Sequence, residues 1–183
     1  MIQVSAAFFS LAVAVASSYA FVTPRSDAVA CPNARPVKAS AVAVGDRTVE
    51  LTTFACDAAG SSLTARTTND VCGVNCTNVC AVVGDLPPDQ SDCSVIFDAI
   101  TILNGSVAPE FSVDAGHMQT LSFGTCRIFF QNFSPQPLEY CWLSFGQVAS
   151  AAGSACFPPV QPVNSEGLCI ASDGTWRVGI AHS

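Results

Sequence analysis

The 183-residue sequence predicts a disulfide-rich α+β domain, a largely antiparallel β-sheet flanked by helices in an α/β/α-type sandwich. Three observations predict it. Ten cysteines follow an apolar leader, two segments carry a helical apolar period, and several short runs alternate with period two beside glycine turns.

The leader, "MIQVSAAFFSLAVAVASSYA", has no charged side chain, an apolar centre from Val4 to Ala16, and a small-x-small ending at Ser18-Tyr19-Ala20. Its apolar run is shorter than the roughly 20 residues that span a bilayer. Residues 1–20 are therefore expected to be a secretory signal peptide, with Phe21 opening a secreted, extracellular chain that has no membrane anchor. Residues 21–70 form an N-terminal extension with a possible β-hairpin: "ASAVAV" and "RTVELTTFAC" flank Gly45-Asp46, a pair suited to a type II′ turn. Residues 57–70 are a polar loop, and residues 71–183 form the cysteine-rich domain.

Within that domain, "PPDQSDCSVIFDAITILNG" is the clearest helix. Cys93, Ile96, Phe97, Ile100 and Leu103 make one stripe, Val95, Ala99 and Ile102 a second. Asp89 or Ser91 can cap it, Asp92 suits its positive end, and Gly105 stops it. Two strands follow, "GHMQTLSF" and "TCRIFFQNF", hinged at Gly124. In the second, Phe129 puts apolar bulk on an otherwise polar side, so the sheet is expected to be partly covered on both faces. A second helix is predicted over "PLEYCWLSFGQVASAAG", with Leu138, Cys141, Trp142, Phe145, Val148, Ala149 and Ala152 inward and Tyr140, Ser144 and Gln147 outward. The chain closes in a hairpin, "GLCIA-SDG-TWRVGIA", with Trp176, Val178 and Ile180 opposite Thr175 and Arg177.

The cysteines are Cys31, Cys56, Cys72, Cys76, Cys80, Cys93, Cys126, Cys141, Cys156 and Cys169. An even number in an oxidising compartment implies five disulfides, with connectivity left open. In "VCGVNCTNVC", Cys72, Cys76 and Cys80 lie four apart, with no histidine nearby to complete a zinc site. On a helix their sulfurs would share one face, so each is expected to bridge to a distant segment.

Charge and motifs exclude several functions. The balance is −7, with Lys38 the single lysine and no basic cluster, which disfavours nucleic acid and anionic membranes as partners. No Gly-x-Ser-x-Gly elbow, phosphate loop or His-Glu-x-x-His occurs. Asp92 and Asp98 would point apart on their helix, and Glu110, Asp114 and His117 read as a solvated loop. Neither an enzyme nor a bound cofactor or metal is expected.

Three sequons begin at Asn75, Asn104 and Asn132, each a glycosylation candidate and so a surface marker. Asn104 and Asn132 end predicted elements, where acceptors are accessible, while the cysteines around Asn75 compete with its modification. Trp142 and Trp176 fall on core stripes. Arg127 and Arg177, on the polar sides of their strands, are the candidate donors to sugar hydroxyls in a sheet-face groove, and Tyr140, with its hydroxyl outward, is the candidate aromatic for stacking on a sugar ring.

"VCGVNCTNVC", "DCSVIFDAI", "FGTCRIFFQN", "YCW" and "LCIASDGTWRVGI" together resemble small cysteine-rich proteins secreted by mushroom-forming fungi, the ink-cap mushroom glycan-binding domain family, over about residues 70–183. The resemblance implies helices around an antiparallel sheet and recognition of glycans or glycoproteins rather than catalysis. Residues 21–70 fall outside it, and it assigns no sugar-contacting position. A secreted effector or inhibitor that binds a protein is the alternative. A structural cell-wall protein is a third, though the chain lacks the adjacent Cys-Cys pair of hydrophobins.

Overall fold

The computed structural model describes residues 31, 33–56, 69–82 and 86–183; the signal-peptide expectation and most of the 57–70 loop lie outside them. Twelve elements follow in order: β1 (Arg35–Val44), β2 (Arg47–Ala55), β3 (Asn69–Asp70), β4 (Cys76–Ala81), α1 (Gln90–Ser106), β5 (Glu110–Val113), β6 (His117–Phe123), β7 (Cys126–Asn132), β8 (Leu138–Cys141), α2 (Trp142–Cys156), β9 (Glu166–Ala171) and β10 (Trp176–His182). Seven strands form one antiparallel sheet in the order β1-β2-β6-β7-β10-β9-β4, and β3-β8-β5 form a small second sheet. The expected α+β class, antiparallel sheet and disulfides are all present.

The β1–β2 hairpin closes through Val44 opposite Arg47, with Gly45 at φ +61, the left-handed first turn residue that a II′ turn requires. β2 then pairs with β6 from Glu50 opposite Ser122 to Ala55 opposite His117, so residues 35–55 belong to the main sheet. Helix α1 buries Cys93, Val95, Ile96, Ala99, Ile100 and Leu103, while Ile102 is 38% exposed and Phe97 half-buried. Asp89 is the N-cap residue, one of the two expected, although its side chain makes no capping hydrogen bond. Asp92 instead turns its carboxylate to the β6–β7 turn, accepting from Thr125 N (2.8 Å) and Thr125 Oγ1 (2.9 Å), which holds its pKa below the usual range.

Side-chain alternation separates the two faces of the large sheet. Both helices pack on one of them, over Val49, Leu121, Ile128, Phe130, Trp176, Val178 and Ile180, so among the described residues the layers are helices on one face of a sheet and not the expected α/β/α sandwich. The small sheet adds Phe111, Val113, Leu138 and Tyr140 to the same core. Trp142 and Trp176 are 3% and 1% exposed, as their core stripes predict.

Three local readings are corrected. Residues 138–141 are strand, not the first turn of α2, because Leu138 and Tyr140 pair with Val113 and Phe111 across β5. Short apolar runs do not reveal such pairing, which is tertiary. Tyr140 therefore does not stand outside a helix: it is 0% exposed, with its ring centroid 4.9 Å from Phe130 and 5.2 Å from Trp176. Glu110 belongs to a strand rather than a solvated loop. Residues 76–81 are an edge strand, so Cys76 and Cys80 share a face through strand period, not helical period.

The bridges are Cys31–Cys56, Cys72–Cys141, Cys76–Cys169, Cys80–Cys156 and Cys93–Cys126. Each of the three closely spaced cysteines thus reaches a distant segment, 69 to 93 residues away. Closing loops of that length stabilises a domain by about 2–5 kcal/mol per bridge. Replacing both members of the Cys72–Cys141 pair, or of the Cys80–Cys156 pair, by alanine is expected to lower the urea midpoint of the disulfide-bonded protein by a matching amount. Unchanged midpoints for both pairs would show that packing alone holds this region.

Candidate functional site

The second face of the large sheet carries no helix among the described residues. Register places its side chains in rows. Glu166 of β9 stands opposite Ala181 of β10, which stands opposite Arg127 of β7 and then Ser122 of β6. The next row runs Leu168, Gly179, Phe129, Thr120, and the third Ile170, Arg177, Gln131, Met118. The two arginines singled out from the sequence therefore share one face, two rows apart on neighbouring strands. Tyr140 lies on the other side of the sheet and does not join them.

Gly179 and Ala181 leave a trough along β10, and the Phe129 ring fills it. A Cβ at Gly179 would overlap that ring, so the close approach requires glycine there. Phe129 is fully buried, clustered with Met118, Leu168 and Cys31. Arg127 and Arg177 flank it, their guanidinium carbons 5.6 and 5.9 Å from its centroid, and Arg177 also lies 5.2 Å from the Phe133 ring. Such placements add a modest cation–π attraction. Arg177 donates Nε–H and Nη2–H to Gln131 Oε1 at 3.0 and 2.8 Å, which fixes the plane of its fork.

Sequence reasoning missed Glu166, Thr120 and Gln131. The hairpin register could have found Glu166: through the Asp173-Gly174 turn it falls on the same face as Arg177. Glu166 is 1% exposed. Burial raises its pKa, and the Arg177 and Arg127 charges only partly oppose that. Burial likewise lowers the Arg177 pKa, opposed by Glu166. Three buried polar atoms here have no hydrogen-bond partner among the described residues: Glu166 Oε2, Arg127 Nε and Thr120 Oγ1. Arg127 is half-buried and Phe133 is 51% exposed, so the cluster reaches the surface at these two side chains.

The sequons change order. Asn132 is 1% exposed; its Nδ2 donates to Val113 O (2.9 Å) and Gln136 O (2.8 Å), and its Oδ1 accepts from Ser134 N (2.8 Å). It is a structural staple, not an accessible acceptor. Asn104 is half-buried in the last turns of α1, and Asn75 is exposed just before β4. Near Glu110, the sulfurs of Cys72 and Cys141 are bonded to each other, which leaves no thiolate to hold a metal. No protein-family model, curated protein or solved structure matches the chain.

The raised pKa of Glu166 has a definite sign. Below the ordinary carboxylate range both folded and unfolded chains carry a neutral Glu166. As pH rises through that range the unfolded chain ionises first, so this residue subtracts stability up to its folded pKa. Glu166→Gln is therefore expected to raise the melting temperature near pH 7, with the gain vanishing below about pH 4. A larger loss of stability at pH 7 than at acid pH would mean that the two guanidinium groups, not burial, dominate this carboxylate.

Proposed function

We propose that the protein is a secreted, non-catalytic carbohydrate-binding protein whose site is the Arg127–Phe129–Glu166–Arg177 face of the large sheet. One observation carries the reading: an acceptor, a donor and a hydroxyl, all buried and unpartnered among the described residues, converge around one aromatic ring. Leaving such groups unpaired costs about 1–3 kcal/mol each. A polyol answers all three, because each sugar hydroxyl both donates and accepts. With the half-buried Arg127 side chain displaced, it can donate to Glu166 Oε2 and accept from Arg127 Nε–H. The opposed charges of Glu166 and the two arginines suit a ligand without strong net charge. A phosphate would meet the carboxylate, and an amine the guanidinium groups.

Two further points support the reading. The five disulfides fit an oxidising compartment, where glycans are exposed. The cysteine order resembles that of the ink-cap mushroom glycan-binding family.

A glycan array probed with the deglycosylated secreted protein tests it. The parent is expected to bind at least one neutral oligosaccharide. Arg127→Ala should weaken that binding about tenfold or more, the worth of a hydrogen bond to a charged group, with only a small loss of melting temperature. Trp176→Ala should instead destabilise by about 3–5 kcal/mol, as a buried ring does. A parent that binds no glycan would give the lead to a protein-binding effector or inhibitor.

A further inference from the structure

A second concavity lies on the opposite side of the sheet, where residues 73–78 run past α2. Its volume is about 280 Å³, and Asn75, Asn78, Ser144 and Gln147 line it. Asn75, Asn78 and Gln147 are exposed, and Ser144 is half-buried. Among the described residues no charged side chain lines the groove. Its deeper wall is the Cys76–Cys169 bridge together with Tyr140.

Tyr140 gives the groove a direction. Its ring is 0% exposed and packs against Phe111, Phe130 and Trp176, while its hydroxyl has no partner among the described residues. Desolvation pushes its pKa up to about 12, so the phenol stays protonated and able to donate. A buried hydroxyl is normally paired. Tyr140 lines a concavity whose side-chain polar groups are otherwise three amides and a hydroxyl, every one of them both donor and acceptor.

We propose that this groove is a second glycan subsite, taking one uncharged sugar unit whose hydroxyls engage Asn75, Asn78, Ser144 and Gln147 beside Tyr140. The proposal extends the carbohydrate reading to a different set of residues. The two sites share no side chain and lie on opposite faces of the sheet, so a single chain could bridge two glycans, and either site can fail alone.

Tyr19 and Tyr140 are the two tyrosines, so 3-fluorotyrosine labelling gives a nearly site-specific probe, with Tyr140→Phe assigning the resonance. The Thr77→Ala background removes the Asn75 sequon without altering a lining residue. This protein is titrated with lactose, cellobiose, maltose and diacetylchitobiose, following the ¹⁹F signal. At least one disaccharide is expected to shift the Tyr140 resonance saturably. Asn78→Ala and Gln147→Ala, both at exposed positions, should each weaken that titration about three- to tenfold, and Arg127→Ala should leave it unchanged. No shift with any of the four sugars would overturn the proposal. So would a shift that both groove variants leave intact, or one that Arg127→Ala abolishes. A persistent Tyr140 shift in a protein that has lost array binding through Arg127→Ala would sustain this site and separate it from the first.

Discussion

Helix α2 is clamped at both ends to one short stretch of chain, and much else in the molecule depends on that clamp. Its N-cap residue, Cys141, makes no side-chain capping hydrogen bond, and neither its first turn nor its last carries the charge that would favour the helix dipole. Cys141 is instead bridged to Cys72, and Cys156, the last helical residue, to Cys80. The 72–80 stretch is mostly exposed, with Val74 and Val79 at 45% and 42%, so burial alone does little to hold it. The third bridge, Cys76 to Cys169, fixes β4 to its neighbour and so sets the position of the clamp on the sheet.

With α2 held over β9 and β10, the apolar side chains of both strands are satisfied on that face. The other face is then released from carrying the main core. It can keep a buried carboxylate, two guanidinium groups and an amide, which a protein built for stability alone would replace with apolar packing. Gly179 and Ala181 extend the same division of labour: on one side of β10 stand Trp176, Val178 and Ile180, on the other a trough that seats Phe129. Groups that lower stability are tolerated here because cross-links supply it elsewhere. That pattern is expected of a site.

Legibility in the sequence followed the locality of the signal. The α1 stripe, the Gly45-Asp46 turn and the β9–β10 hairpin are fixed by contacts within a few residues, and each is plain in the sequence. The pairing of Arg127 with Arg177 on one face came from alternation along two strands that happen to be neighbours. Tyr140 was misplaced because "PLEYCW" continues a helical stripe without a break, and only the partner strand at 110–113 makes it a strand. Asn132 read as accessible because a sequon carries no information on burial; its amide is consumed by the loop it staples. Glu166 stood just outside the hairpin's apolar run, and only the full register brings it beside the arginines.

Glu166 is the centre of the proposed site, a buried and incompletely paired carboxylate to which we propose a hydroxyl-bearing ligand supplies the missing donor. Carboxyl ¹³C NMR of Glu166, followed against pH with and without a saturating sugar, addresses this directly. Without ligand the midpoint is expected above the ordinary glutamate range, because burial disfavours the charge. With ligand it should fall, because hydroxyl donors favour the ionised form. An ordinary midpoint, or one that saturation leaves in place, would contradict a binding role for this face.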